Sequence, residues 1–170
     1  RSSNGAILLA GIFALVVGVG VARFVFTSLL PAMLADSINI AFAGILASIN
    51  YLGYLSGSIF SIFIKDIHSK VKYFRFGLLL CVLSSLVLSI TDNSFIWVIA
   101  RLSAGFGAAM ALVVGSAIVM LKLNTTNKTK AMGIHFSGLG FSIFLPDLIM
   151  RSVFYFGGDW KDAWLVLAIV

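Results

Sequence analysis

The stretch AILLAGIFALVVGVGVARFVFTSLLPAML, residues 6–34, is apolar almost throughout and contains one charged residue, Arg23. The hydrocarbon core of a bilayer is about 30 Å thick, so a helix of about 20 apolar residues spans it. The stretch exceeds that length, and it therefore predicts a membrane-spanning helix with a cation inside it.

The composition of the whole chain agrees with a membrane protein. Hydrophobic residues make up 61% of the chain, charged residues 11%, and the mean hydropathy is +1.11. A soluble domain is nearer half apolar and a quarter charged. Cys81 is the single cysteine, which excludes an intrachain disulfide. We expect an all-α membrane protein without a metal site or cofactor.

Six apolar runs predict six helices, at about 6–34, 42–64, 74–91, 95–121, 131–150 and 161–170. Short connections make sequential helices antiparallel neighbours, and residues 1–170 are expected to form one bundle. The sixth run has too few apolar residues before Val170 to span a bilayer. We therefore expect a truncated sixth helix and a chain that is part of a longer protein.

The net charge of +6 comes largely from two short connections, KDIHSKVKYFR and KLNTTNKTK. Basic loops of this kind are typical of the cytoplasmic side of a membrane protein, and they favour no nucleic-acid partner. The N-terminus is then predicted to be cytoplasmic, on the same side as Arg1, Lys65, Lys70, Lys72, Arg75, Lys122, Lys128 and Lys130. On the outer side we place Arg151 and Lys161, and near that interface Trp97, Tyr155, Trp160 and Trp164.

Two arginines, Arg23 and Arg101, lie inside apolar runs, and an arginine at the bilayer centre costs about 2.5–3.5 kcal/mol on insertion scales. Asp147 is the one acidic residue within a predicted helix, and Arg151 lies one turn after it. Three roles remain open for the arginines. They could clamp helices together by hydrogen bonds, face a ligand, or extend to the outer surface.

The second and fifth helices add polar candidates. In the second helix Asn50, Tyr54, Ser58 and Ser61 share one face, which indicates either interhelical hydrogen bonds or the wall of a wet cavity. His135 in the fifth helix could carry a coupling proton or be a hydrogen-bonded structural residue. Small residues that allow close packing of helices include Gly53, Gly57, Gly138 and Gly140.

The segments RFVFTSLLPAML, ASINYLGYLSG, ARLSAGFGAAMALVVGSAIVMLKL, GIHFSGLGFS and DWKDAWLVLAIV together resemble the YbfB/YjiJ type of bacterial major facilitator superfamily transporters. The resemblance implies two six-helix halves with a substrate site between them, and this chain as the N-terminal half. It also implies that helices one, two, four and five line the cavity, with Arg23, Asn50, Tyr54, Arg101 and His135 as substrate-binding candidates.

The function predicted from this resemblance is a secondary transporter that moves a small molecule across the bacterial inner membrane by alternating access. An organic anion is one class of substrate, because the two arginines lack matching acids. The proton is a candidate coupling ion, and the expected partners are the lipid bilayer and the missing C-terminal half. An enzyme is not expected, since the chain has no glutamate and no catalytic motif. A six-helix sensor or scaffold without transport remains the alternative.

Overall fold

Helices make up nearly all of the computed structural model, which describes residues 3–169. They are α1 (Asn4–Asp36), α2 (Ile40–Ser61), α3 (Ile67–Ile90), α4 (Ser94–Lys122), α5 (Lys128–Tyr155) and α6 (Trp160–Ile169). The described range contains no strand, and α1 to α5 are each long and apolar enough to cross a membrane. The prediction of an all-α membrane protein is confirmed. Arg1, counted above as cytoplasmic, and Val170, the predicted end of the sixth helix, lie outside the described residues.

Polar caps fix where the helices after α1 begin. The side chain of Asn39 accepts a hydrogen bond from the Phe42 N–H at 2.8 Å, and Asp66 accepts one from the Ser69 N–H at 2.8 Å. Such caps satisfy backbone donors that the first turn of a helix leaves free. The Asp66 cap also explains why α3 begins at Ile67, well before the predicted start near residue 74. The part of the basic connection KDIHSKVKYFR that follows Asp66 therefore belongs to α3.

The six helices are unequally buried. In the most apolar window of each helix, 67% of the residues of α4 and 44% of those of α1 are buried, against 33% or less in α2, α3 and α5. The helices α1 and α4 therefore form the centre of the bundle. Outward-facing apolar side chains such as Phe13 and Phe144, 62% and 61% exposed, give the bundle a lipid-compatible surface.

Glycines let α2 and α4 approach each other closely. A Cβ on Gly105 would overlap the backbone of Asn50 and Tyr54, and one on Gly53 would overlap the backbone of Leu102. Small residues have this role in membrane bundles, where no hydrophobic force drives helices together. Gly140 was predicted to pack in the same way, but a Cβ added there would meet no heavy atom within 4 Å, so that prediction is wrong.

Both central helices contain a π-helical segment. In α1 it covers Val16–Phe24, and the N–H of Val25 donates to the Gly20 carbonyl five residues earlier. In α4 it covers Met110–Val114, and Gly18 of α1 lies directly against Ala111 of this segment. Such segments widen a helix locally and often occur at functional sites. The segment in α1 contains Arg23.

Hydrogen bonds at the two ends of the bundle establish which connections lie together. At one end Asn4 donates to the Asn124 carbonyl at 2.8 Å, so the start of α1 lies beside the connection between α4 and α5. At the other end Trp160 donates to Asp36 at 2.9 Å. The alternation of helix directions is therefore the one predicted.

Tryptophans at the second end are more buried than the sequence suggests. We expected them at the interface, but Trp97, Trp160 and Trp164 are 2%, 3% and 0% exposed and form part of the apolar core there. Tyr155 alone of the four aromatic residues faces outward, at 86% exposure.

Candidate functional site

Arg23 lies at the end of the π-helical segment of α1 and is half-buried. Its guanidinium carbon is 4.7 Å from the ring centroid of Tyr51 and 5.4 Å from that of Tyr54, both on α2. The ring of Phe24 is 6.0 Å away. Cations within about 6 Å of an aromatic ring are attracted by its quadrupole. Aromatic rings therefore stabilise this cation without neutralising it.

No carboxylate compensates the charge of Arg23 within residues 3–169. The two ion pairs of this range are Arg151–Asp147 at 2.7 Å and Lys161–Asp92 at 2.8 Å. Both lie near the end of the bundle where α6 begins, which leaves Asp147 committed to its neighbour in α5. The charge of Arg23 is therefore not balanced by a carboxylate of the described residues.

Arg101 is almost completely buried, at 2% exposure. Its Nη1 donates to the Ala22 carbonyl of α1 at 3.0 Å, and its guanidinium carbon is 4.3 Å from the Phe26 ring centroid. The Arg101 carbonyl in turn accepts a hydrogen bond from Asn50 Nδ2 at 3.0 Å. Arg101 thus links α1, α2 and α4. Its depth rules out extension to the outer surface.

The Nε atom of Arg101 is buried and has no hydrogen-bond partner among the described residues. A buried unpaired donor is rare in proteins, and it points to an interaction outside the protein chain, such as water or a ligand. The clamp and the ligand-facing interpretations of Arg101 are therefore compatible.

A cavity of about 370 Å³ lies at these residues. Four helices line it, α1, α2, α4 and α5, which are the four that the family resemblance implies. The lining residues are Arg23, Phe24, Phe26, Thr27, Ser28, Ala47, Asn50, Tyr51, Arg101 and Ile143. Tyr51 is 56% exposed and Arg23 is half-buried, so the cavity reaches the surface of the bundle.

Of the five predicted site residues, the structure brings together Arg23, Asn50 and Arg101 in the cavity wall, with Tyr54 against Arg23. His135 lies elsewhere. It is 1% exposed, its Nε2 is 3.0 Å from the Ser116 hydroxyl, and its ring lies against Gly11. Gly11 precedes Arg23 by three helical turns, which places His135 roughly 18 Å away along α1 at 1.5 Å per residue.

The polar face of α2 divides between the two roles that the sequence left open. Asn50 both bonds to α4 and lines the cavity. Further along the helix, Ser61 donates to the carbonyl of Ser58 in its own helix at 2.6 Å. Neither Ser58 nor Ser61 is among the residues that line the cavity, so the polar face contributes to it at its Asn50 end.

Several cavity residues were not among the predicted ones. Tyr51 is the nearest ring to Arg23, and Phe26 is the ring beneath Arg101. Their positions in the sequence, next to the predicted site residues, could have indicated that they belong to the cavity. Tyr51 follows Asn50 directly, and Phe26 lies three residues after Arg23 and hence on the neighbouring helical surface.

Residues 15–170 match the sequence model of the family described as "Uncharacterised MFS-type transporter YbfB". The match begins just before the π-helical segment of α1 and includes every residue of the cavity. No curated protein matches the chain.

Proposed function

The chain belongs to the YbfB family of MFS-type transporters, and from this membership we propose that it forms one half of a secondary transporter for a small organic anion. Membership indicates a multi-pass membrane transporter, a class that is generally not enzymatic. A transport role is preferred to that of a sensor or scaffold because the family is one of transporters.

The observation that carries the anion proposal is the uncompensated charge of Arg23. The residue is accessible from a cavity, is held by ring faces, and has no carboxylate partner in the described chain. Charged residues inside membrane bundles usually mark substrate or ion pathways. An anionic substrate would supply the missing counter-charge when it binds.

Alternating access is the proposed mechanism. The cavity is lined by α1, α2, α4 and α5 and opens at the bundle surface. We place the missing C-terminal six-helix half against this surface, so that the substrate binds between the halves. Rocking of one half against the other would then expose the site to each side in turn.

The proposed location is the bacterial inner membrane, with the N-terminus in the cytoplasm. Basic residues support this orientation. Seven lie at the end of the bundle that contains the start of α1, namely Lys65, Lys70, Lys72, Arg75, Lys122, Lys128 and Lys130. The opposite end has Arg151 and Lys161. Basic residues near membrane helices favour the cytoplasmic side.

A proton is the proposed coupling ion, and His135 is the candidate carrier. It is the buried histidine of the described residues, and its Nδ1 has no partner there. Its distance from Arg23 indicates that a coupling role would act through the packing of α1, α4 and α5 rather than by contact with substrate.

The test is uptake of organic anions by the full-length transporter in proteoliposomes, compared with the Arg23→Ala variant. We expect this variant to insert and purify normally but to lose uptake. Arg151→Ala is the matched control, because it removes an arginine that is exposed near the outer end. Full uptake of anions by Arg23→Ala would refute the proposal.

A further inference from the structure

We infer that the substrate is a monocarboxylate with a compact apolar body, whose carboxylate binds the N–H edge of Arg23. This inference rests on the transport function proposed above and specifies its substrate class. Three features of the cavity lead to it: the number of available guanidinium groups, the chemistry of the walls, and the volume.

The first feature is that one guanidinium is available. The guanidinium of Arg23 lies against the rings of Tyr51 and Tyr54 and reaches the Tyr51 hydroxyl, and no carboxylate within residues 3–169 pairs with it. The planar edge of a guanidinium matches a carboxylate through two parallel hydrogen bonds. The Tyr51 hydroxyl can itself donate a hydrogen bond to a bound carboxylate, so Arg23 and Tyr51 together present one carboxylate receptor.

Arg101 does not provide a second receptor of the same kind. Its Nη1 is bonded to the Ala22 carbonyl, its face lies over Phe26, and it is 2% exposed. Its unpaired Nε adds one donor and a positive potential at the cavity wall. This arrangement assists one anionic group at Arg23 but cannot bind a second carboxylate by two hydrogen bonds.

The second feature is the apolar character of the wall away from the arginines. Phe24 and Phe26 of α1, Ala47 of α2 and Ile143 of α5 line it. A second ionised group placed against this wall would have no partner within this half, which is strongly unfavourable. An aliphatic or aromatic body would instead remove apolar surface from water.

The third feature is size. The cavity of about 370 Å³ is the part of the proposed site that lies within this half, and it can hold a carboxylate and the group next to it. A single ring or a short branched chain with one carboxylate suits this volume. The hydroxyl groups of Thr27 and Ser28 at the rim could accept or donate one further hydrogen bond.

Binding of four probes to the purified full-length transporter tests the inference. Benzoate is the monocarboxylate, benzamide is its neutral analogue, phthalate adds a second carboxylate, and benzylammonium reverses the charge. Affinity is measured from the ligand-dependent rise in Tm, because a ligand that binds the folded state stabilises it. We expect benzoate to bind at least about tenfold more tightly than each of the others, the loss that one missing charged contact produces.

Arg23→Lys distinguishes the shape of the guanidinium from its charge. Lysine keeps the positive charge but lacks the planar edge, so we expect benzoate affinity to fall about tenfold or more. Arg151→Lys makes the same change at an exposed position and should leave the affinity unchanged. The Tm of each variant without ligand confirms that it is folded.

Each outcome decides a different claim. Selective benzoate binding that Arg23→Lys weakens supports the inference. Tighter binding of phthalate than of benzoate, with the same dependence on Arg23, would overturn the monocarboxylate inference and leave the proposed anion transport standing. Failure of benzoate to bind would overturn the monocarboxylate inference, and binding of benzylammonium in its place would overturn the proposed anion transport as well.

Discussion

The close approach of α2 and α4 determines the position of three side chains of the candidate site, and Gly105→Ala is the perturbation that tests this. Asn50 and Tyr54 come from α2, and Arg101 lies one turn before Gly105 on α4. A Cβ on Gly105 would lie 2.8 Å from the Tyr54 backbone nitrogen and would overlap the Asn50 carbonyl oxygen. Ordinary contact begins at 3.4 Å, so the two helices must separate.

The expected cost follows from that separation. Overpacking of a well-packed interface costs about 1–3 kcal/mol. A shift that relieved the Tyr54 contact alone would lengthen the Asn50–Arg101 hydrogen bond, which is 3.0 Å in the native packing, to about 3.6 Å, where it no longer counts as a bond. Interhelical hydrogen bonds in membranes contribute about 0.6 kcal/mol on average. A total loss of about 2 kcal/mol lowers Tm by about 4–8 °C in a domain of about 150–250 residues, and the shift is smaller in the longer full-length transporter.

The assay is the Tm of the purified full-length transporter, together with its initial uptake rate. The matched control is Gly44→Ala on α2, because Gly44 is exposed and has no heavy atom within 4 Å of an added Cβ. Alanine is preferred to glycine in a helix interior by about 0.5–1 kcal/mol, so the control should be neutral or slightly stabilising. Equal Tm values for the two variants would refute the proposed role of the helix approach.

Two further predictions concern titratable groups. His135→Gln keeps a polar group beside Ser116 but cannot take up a proton at physiological pH, so we expect loss of uptake driven by a pH gradient with substrate exchange retained; unchanged gradient-driven uptake would eliminate the coupling role. Asp66→Ala should lower Tm more than Asp66→Asn, because asparagine also caps a helix. Backbone and side-chain hydrogen bonds from Ser69 hold the pKa of Asp66 below its usual value, so the advantage of aspartate over asparagine should be present at neutral pH and fall as the pH drops below about 3.9. A constant difference between pH 7 and pH 3 would contradict this account of the cap.

Hydropathy was sufficient to predict the six helices, because a span of the bilayer requires a long apolar run whatever the packing. The start of α3 was harder to predict. The segment from Ile67 to Arg75 is too polar to count as part of an apolar run, but its backbone is helical because Asp66 caps it. Helix length and apolar length are different quantities where a helix extends beyond the membrane.

The π-helical segments and the direction of the arginines could not be predicted in the same way. A π-helical turn changes the hydrogen-bond pattern of the backbone without a distinctive residue composition. Whether Arg101 points inward depends on the Ala22 carbonyl of another helix, which is remote in sequence. The burial of Trp164 likewise depends on the packing of α6 against α3 and α5, since composition places tryptophan equally well at the interface.

The two arginines differ in the way that the bundle stabilises them. This difference favours a role in helix packing for Arg101 and, in the proposed function, a role in ligand binding for Arg23. Arg101 is bonded to backbone, so removing its side chain would leave the Ala22 carbonyl without this partner and weaken the link between α1 and α4. Arg23 is held by ring faces, which attract a cation, and by the Tyr51 hydroxyl rather than by a carboxylate. A carboxylate in place of Tyr51 would stabilise the cation better and would also occupy the edge that a substrate needs. Aromatic support is therefore the arrangement expected of a site in which the ligand is the counter-ion.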